Sequence, residues 1–383
     1  MSSSRTALVF GASGITGWAI AKEALRYPSP TTFDQVIALT NRPLSKIDSL
    51  LPEDERLQLY SGIDLSAGAS EVEKQLANID GINNVTNVYF AAFILTGHVG
   101  GTEGIKANLD IIQNAVEAVE KLSPRLESWT LQTGGMSYGF MFVRELGLPT
   151  PPLKESNPRI PEPFASQILY YSQYDLLKKL SKGKSWKFVE VRPDGVSGFV
   201  PSSNAMNMAH SLGIFFSFYA SIEGRGASVP YPGSQTAFVA RHTDVSQSIL
   251  AHFHIYTSLY PGLANGDTFN IGDEDSISWE EMWPTLTSYF GLVGRGPDEG
   301  FNIDSYIQSH KAEWLAWIEK NRLKRQAVEK TNFSHLTVMM SLAAFDRQYD
   351  ITKAREIGFI ETEKTVNGYL TAFELMKEGK IIP

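Results

Sequence analysis

The chain has 383 residues, no cysteine, a net charge of −8, and 43% hydrophobic against 20% charged residues. Without cysteine there is no disulfide framework, iron–sulfur cluster, thiol nucleophile or thiolate zinc site, and 42 acidic against 34 basic side chains argues against a nucleic-acid groove or an anionic membrane surface. At roughly 100–200 residues per domain, the length implies one large or two intimate domains that need no staples.

In chain order, Thr6–Phe10 is a short apolar run closed by turn residues, and a helical pattern follows from Gly17 to Tyr27. Gln35–Thr40, Leu57–Ile63, Val85–Phe93, Trp129–Gln132 and Lys187–Val191 repeat the β-type run, with helical stretches at Ala69–Leu76, Ile105–Leu122 and Ser166–Lys182 between them. Short buried strands alternating with helices predict an α/β fold, a Rossmann-type doubly wound parallel sheet. Residues 136–164 carry six prolines and read as a long ordered loop. Beyond Pro201 the pattern becomes irregular, with an apolar helical region over Ala205–Ala220, a strand end at Phe269–Gly272 and a Trp-rich helical region over 278–345. The expected division is a nucleotide-binding domain over 1–200, with returning segments at 236–275 and 346–360, and a smaller, mostly helical substrate-binding lobe from 201–235 and 276–345. Ala7–Phe10 is too short for a signal-peptide core and Leu212–Ile222 falls short of the ~20 residues a spanning helix needs, so a cytoplasmic protein is expected. Asn84 and Asn332 head glycosylation-type triplets that are expected to be chance matches.

Gly11-Ala12-Ser13-Gly14-Ile15-Thr16-Gly17 follows the first strand and opens a helix. This GxxGxxG spacing suits a tight turn, close backbone approach to a pyrophosphate, and an anion on the helix N-terminus. The second strand ends in Thr40-Asn41-Arg42-Pro43. A carboxylate there would favour a free ribose 2′-hydroxyl; a guanidinium suits a 2′-phosphate, which points to NADPH. Asp64, at the end of the third strand, is a candidate for the adenine amino group, with a plain turn residue as the alternative.

Further stretches carry a family resemblance. Leu131-Gln-Thr-Gly134, Asn157-Pro-Arg-Ile-Pro161, Leu169-Tyr-Tyr-Ser-Gln-Tyr-Asp175, Val191-Arg-Pro193 to Gly198-Phe-Val-Pro201, Asn204-Ala-Met-Asn207, Thr243-Asp-Val245, Phe269-Asn-Ile-Gly272, Ser278-Trp279 to Met282-Trp283, and Lys353-Ala-Arg355 to Gly358-Phe359 occur in order along nearly the whole chain. Together they resemble the extended short-chain dehydrogenases/reductases, and within them the progesterone 5β-reductase and iridoid synthase-like group, which reduces enones with NADPH. The resemblance implies that Leu65, Ala91, Gln132, Tyr171 and Val196 join the turn and Asn41, Arg42, Pro43 and Asp64 around the cofactor, with Val196 backing the nicotinamide.

The same resemblance implies a catalytic tyrosine that donates to a developing enolate, assisted by a lysine ammonium. The tyrosine maps onto Tyr171. A rival register exists, because Tyr174-Asp-Leu-Leu-Lys178 is a literal YxxxK and residues four apart share a helix face. At the lysine position this chain has Met136, which carries no charge and no N–H donor. Lys178 or Tyr138 would then compensate, or the substrate is activated enough to need Tyr171 alone. Phe93, Met136, Tyr138, Met206 and Phe215 are expected to line a pocket for a small apolar substrate. His252 and His254 lack a third ligand, so no metal is expected, and Ser137 and Ser197 lack a triad context. The Trp residues of 279–317 are expected in the core. The expected function is reduction of the C=C or C=O of an enone-like molecule. The alternatives are a redox-neutral isomerase, cyclase or ring-opening enzyme using Tyr171 as acid, and an NADPH-binding sensor. A monomer or homodimer is expected.

Overall fold

Runs of apolar, β-branched and aromatic residues build the central sheet, buried on both faces in all but the partly exposed edge strand β3: β1 (Thr6–Phe10), β2 (Gln35–Thr40), β3 (Leu57–Ser61), β4 (Val85–Phe90), β5 (Ser128–Gln132) and β6 (Lys187–Arg192). The computed structural model describes residues 4–95, 100–202, 206–262, 265–273, 276–341 and 343–383. Asn204 and Ala205, within one of the stretches carrying the resemblance, lie outside the described residues.

Three short or late strands follow before the sheet is completed: β7 (Val196–Ser197), β8 (Ser228–Tyr231) and β9 (Val245–Ser246), and then β10 (Asp267–Asn270). The seven-stranded sheet has the order β10-β6-β5-β4-β1-β2-β3, and every pairing in it is parallel. Strand order reverses beside β1, between β4 and β2. In open α/β sheets that switch point is where a crevice forms at the carboxyl ends.

The helices of the first part are α1 (Ile15–Glu23), a one-turn α2 (Lys46–Ser49), α3 (Ala69–Ala77), α4 (Thr102–Leu122), a one-turn α5 (Val143–Leu146) and α6 (Leu169–Leu180). On α4, Ile111, Ile112, Ala115, Val116 and Val119 recur at helical spacing and are buried in the core. Under them, Phe10, Phe90 and Trp129 pack ring to ring across β1, β4 and β5, with centroids 5.7–6.2 Å apart. β4 ends at Phe90 rather than reaching Phe93. Asn108 of α4 holds the next segment instead, accepting from the Ile94 N–H at 3.0 Å and donating to the Ile94 carbonyl at 2.8 Å.

The chain divides into two compact units: residues 1–193, 250–271 and 350–360, and residues 194–249, 272–349 and 361–383. This differs from the sequence-based division, which broke the second unit at 235 and left out 361–383. The reason is visible in β9. Val245 and Ser246 pair with Val196 and Ser197 in a separate two-stranded ladder, so Thr243–Val245 does not return the chain to the main sheet. The helix after it, Gln247–Leu259, leads into β10, which does.

In the second unit, the helix α7 (Met208–Glu223) is buried on nearly every face. Phe216 meets Trp283 at 5.0 Å and Phe218 meets Trp314 at 4.9 Å. Trp279, Trp283, Trp314 and Trp317 are all buried, the core role expected of them. No helix among the described residues is long and apolar enough to cross a membrane.

Candidate active site

At the carboxyl end of β1 the chain turns through Gly11, whose φ is +84°. A Cβ on Gly11 would lie 2.7 Å from the Ala91 carbonyl oxygen, and one on Gly17 would overlap the Gly11 carbonyl. Both glycines are therefore fixed by backbone crossing backbone. Gly14 is different: the only atom near an added Cβ is the Gly11 oxygen, at 3.3 Å. It leaves one side open to an approaching group. Gly14 is also the N-cap of α1 and no side chain caps the helix, so its first N–H groups remain available to an anion. Thr16 Oγ1 is buried in the same turn without a hydrogen-bond partner among the described residues. Ser13 and Ile15 sit half-buried beside it. These features fit a dinucleotide pyrophosphate.

At the end of β2, Arg42 is exposed and its guanidinium makes no hydrogen bond or ion pair among the described residues. The Thr40 hydroxyl donates to the Arg42 carbonyl, which shapes the turn into Pro43. Asn41 reaches the Ile63 carbonyl at 3.5 Å. Asp64 caps the short turn Leu65–Ala67, accepting from the Ser66 N–H at 2.9 Å and hydroxyl at 2.6 Å. That is the plain turn role, and it engages one carboxylate oxygen. Asn114 of α4 donates to the Leu65 carbonyl at 2.9 Å and fixes this edge.

Tyr171 lies in the first turn of α6 and is buried. Its hydroxyl donates to the Ser137 carbonyl at 2.6 Å and accepts the Ile160 N–H at 3.2 Å. Met136, half-buried, directly precedes Ser137 in the turn Gly135–Tyr138 that follows β5. The structure thus brings Tyr171 to the Met136 segment. Two buried polar atoms in this stretch, Gln132 Oε1 and Ser137 Oγ, have no partner among the described residues. Burial raises the Tyr171 phenol above its ordinary pKa, against the smaller lowering effects of the Ile160 N–H, Arg192 and Arg159. The phenol is therefore a proton holder at neutral pH and not a base.

Other expected residues have different tasks. The Tyr174 hydroxyl donates to the Gly266 carbonyl at 2.7 Å, and its ring packs edge-on against Phe188. Lys178 is exposed, with Nζ 5.8 Å from the Tyr174 ring. Seven residues from Tyr171 on one helix, it is ~10 Å away along the axis. Tyr174 is thus engaged with Gly266 and Phe188, and Lys178 lies beside Tyr174 rather than beside Tyr171. Tyr138 also points elsewhere: it is buried, donates to Asn270 Oδ1 at 2.6 Å and lies beneath Arg192 at 5.0 Å. Phe215 has no exposed surface and packs among Phe216, Tyr219, Phe301 and Tyr306, so it is core rather than pocket. Val196 and Met206 belong to the second unit, Val196 as the partner of Val245 and Met206 with 61% of its surface exposed. Phe93 is 41% exposed just beyond β4. The paired histidines part company: His252 bonds Glu23 at 3.0 Å and stacks on Tyr27, and His254 bonds Thr130 at 2.9 Å.

Four residues around Tyr171 escaped sequence analysis. Arg159 lies over its ring, 4.6 Å from the centroid, and pairs with both oxygens of Asp175 at 2.7 and 2.8 Å. Glu190 and Arg192 form a buried pair at 3.1 Å, with Thr133 and Thr268 each donating to Glu190 at 2.6 Å. Tyr170 makes no side-chain hydrogen bond among the described residues and faces Gly134. Burial raises its phenol to about 12. Arg159, Tyr170 and Arg192 lie in stretches that carried the family resemblance, without a role, and Glu190 gave no signal beyond its strand.

Residues 7–383 match the family model of the PRISE-like Rossmann-fold domain. The chain is 36% identical to the "Short chain dehydrogenase sirQ" of Leptosphaeria maculans, over 98% of this chain and 97% of that protein. It is 24% identical to the "3-oxo-Delta(4,5)-steroid 5-beta-reductase" of Arabidopsis thaliana, over 98% and 93%. Among solved structures, a UDP-N-acetylglucosamine 4-epimerase from Bacillus cereus superposes with a TM-score of 0.61 at 15% identity, over 98% and 97% of the two chains, a likeness of fold.

Proposed function

The chain belongs to the PRISE-like Rossmann-fold family, and from that premise we propose that it is an NADPH-dependent reductase acting on the C=C or C=O of a small, apolar, enone-like molecule. The observation that carries this reading is the buried Tyr171 hydroxyl beside the end of β5, held by one carbonyl and one N–H. Gly14, the uncapped start of α1 and Thr16 would hold the pyrophosphate, and the unpaired Arg42 the 2′-phosphate. When bound, the reduced nicotinamide supplies the hydride.

The chain's own residues manage the charge that builds on the substrate oxygen. Tyr171 holds its proton at Oη and gives the hydrogen bond to Ser137 at rest. To serve a substrate oxygen, the O–H turns away from that carbonyl while the Ile160 N–H stays on Oη. The substrate oxygen thereby gains a donor without leaving the phenol oxygen bare. Phe93, Leu95, Met141, Leu146 and Leu148 are exposed apolar side chains on the segments that leave the adjacent strands β4 and β5, which favours an apolar substrate. The name of the Arabidopsis relative describes reduction of an enone, which supports the substrate class.

A panel of cyclic enones and oxo-enals with NADPH tests this reading. Consumption of NADPH with formation of the saturated carbonyl product is the expected result. Tight NADPH binding with no consumption by any enone or ketone overturns it. Met136, neutral where the resemblance implies an ammonium, favours the second reading, redox-neutral acid catalysis by Tyr171. Product formed with no nicotinamide consumed would select it.

A further inference from the structure

We propose that Arg159 is the positioning residue that supplies Tyr171 with the positive charge that Met136 does not provide. The proposal rests on the reading of Tyr171 as the donor. Its geometry is independent of substrate.

The guanidinium carbon stands 4.6 Å from the centre of the Tyr171 ring, within the range where a cation is drawn to an aromatic face. Arg159 and Asp175 are both partly exposed, and an ion pair holds the guanidinium there. Both its terminal nitrogens are bonded to Asp175, one helical turn beyond Tyr171 on α6. The carboxylate at position 175 thus parks the planar fork over position 171, a geometry an ammonium does not reproduce. The next residue completes the grip, because the Ile160 N–H donates to the Tyr171 oxygen at 3.2 Å. Two consecutive residues of one loop therefore hold the ring face and the hydroxyl together. If Oη gives up its proton or lends its hydrogen bond, the same loop faces it with a positive charge and an N–H.

Arg192 also lowers the Tyr171 phenol, with Glu190 opposing it, but Arg192 is committed to Glu190 at 3.1 Å as a buried pair within β6 and does not lie over the Tyr171 ring. Lys178 lies out on the helix surface beside Tyr174. Met136 carries none. Asp175 offsets part of the Arg159 charge, so a modest effect is expected.

The test replaces Tyr171 with a ring-fluorinated tyrosine in the full chain and follows the ionisation of that one phenol by fluorine NMR. In Arg159→Gln the midpoint is expected to rise by about half a pH unit. Arg159→Lys is expected to return part of the shift. Asp175→Asn removes the offsetting anion and is expected to lower the midpoint. A purely structural role for the Arg159–Asp175 link predicts instead that Arg159→Gln and Asp175→Asn behave alike. In enone reduction, Arg159→Gln is expected to lower kcat about threefold with KM little moved, and Met136→Lys to restore it. An unmoved midpoint in Arg159→Gln, or equal shifts of the same sign in both variants, overturns the proposal. Where Arg159→Gln fails to fold, Asp175→Asn and Arg159→Lys decide it by the sign of their shifts. If no enone is reduced by the wild type, the functional reading falls, while the titration still reports on Arg159.

Discussion

Tyr171→Phe and Tyr174→Phe form a matched pair. Each removes one hydroxyl of α6 whose proton goes to a backbone carbonyl: Ser137 at 2.6 Å for Tyr171, Gly266 at 2.7 Å for Tyr174. Tyr171 also loses an accepted bond, leaving the Ile160 N–H without it. At about 0.5–1.5 kcal/mol net per bond, Tyr174→Phe should cost about 1 kcal/mol of stability and Tyr171→Phe about 2. The rate consequences diverge far more. Loss of an oxyanion donor costs ~2.7–4 kcal/mol in the transition state, so Tyr171→Phe should lose about 100–1000-fold in kcat for enone reduction. Tyr174→Phe should stay near wild type. Steady-state kinetics and thermal denaturation, run on both variants, separate the two scales. A larger kinetic loss in Tyr174→Phe would transfer the donor role to the Tyr174–Lys178 register and refute the assignment. Equal losses in both, tracking thermal stability, would mean that neither hydroxyl touches the reaction.

Arg42→Ala should weaken NADPH about 10–150-fold, the value of charge-assisted bonds, and NADH little; equal losses by fluorescence titration would remove the 2′-phosphate assignment. Because Arg42 makes no bond among the described residues, its thermal midpoint should not move. Met136→Lys should raise kcat for enone reduction, and a fall or no change would show that the pocket at 136 is shaped for a neutral side chain. In the second unit, burial raises the Asp273 carboxyl to about 7, against the hydrogen bonds it accepts from the Ser246 N–H, shared between both oxygens, and the Ser246 hydroxyl. A carboxyl raised in the fold binds its proton more tightly there than in the unfolded chain, so its contribution is full below pH ~4 and is lost as pH rises to about 7. Asp273→Asn should therefore flatten the decline of the thermal midpoint between those values; an unchanged slope would refute the shift.

The parts of this fold that sequence makes legible are those where one residue type is required by local geometry. β1, β2, β5 and β6 lie within a residue of their expected limits, because parallel strands buried on both faces must read as continuous apolar runs. Gly11 and Gly17 are equally legible, since any Cβ there would meet backbone. Phe215 was not. α7 is buried almost all round, so its apolar pattern says nothing about which face meets a ligand. Nor was the role of Tyr174, whose YxxxK spacing is real but whose hydroxyl is satisfied 92 residues away.

The environment of Tyr171 shows why catalysis is harder to read than cofactor binding. The groups on its oxygen are the Ser137 carbonyl and the Ile160 N–H, and every residue type offers the first while all but proline offer the second. No side-chain pattern encodes them; only the paths of two loops, 135–138 and 157–161, bring them there. The turn that would bind the cofactor is shaped separately, by the close approach of Gly11 to the Ala91 backbone and of Gly17 to Gly11. The donor strength of Tyr171 can therefore change through substitutions such as that at Met136 while the dinucleotide turn keeps its geometry. A chain built this way can keep the dinucleotide-type turn fixed and still vary how much charge the Tyr171 oxygen receives, and Arg159 is the lever within reach.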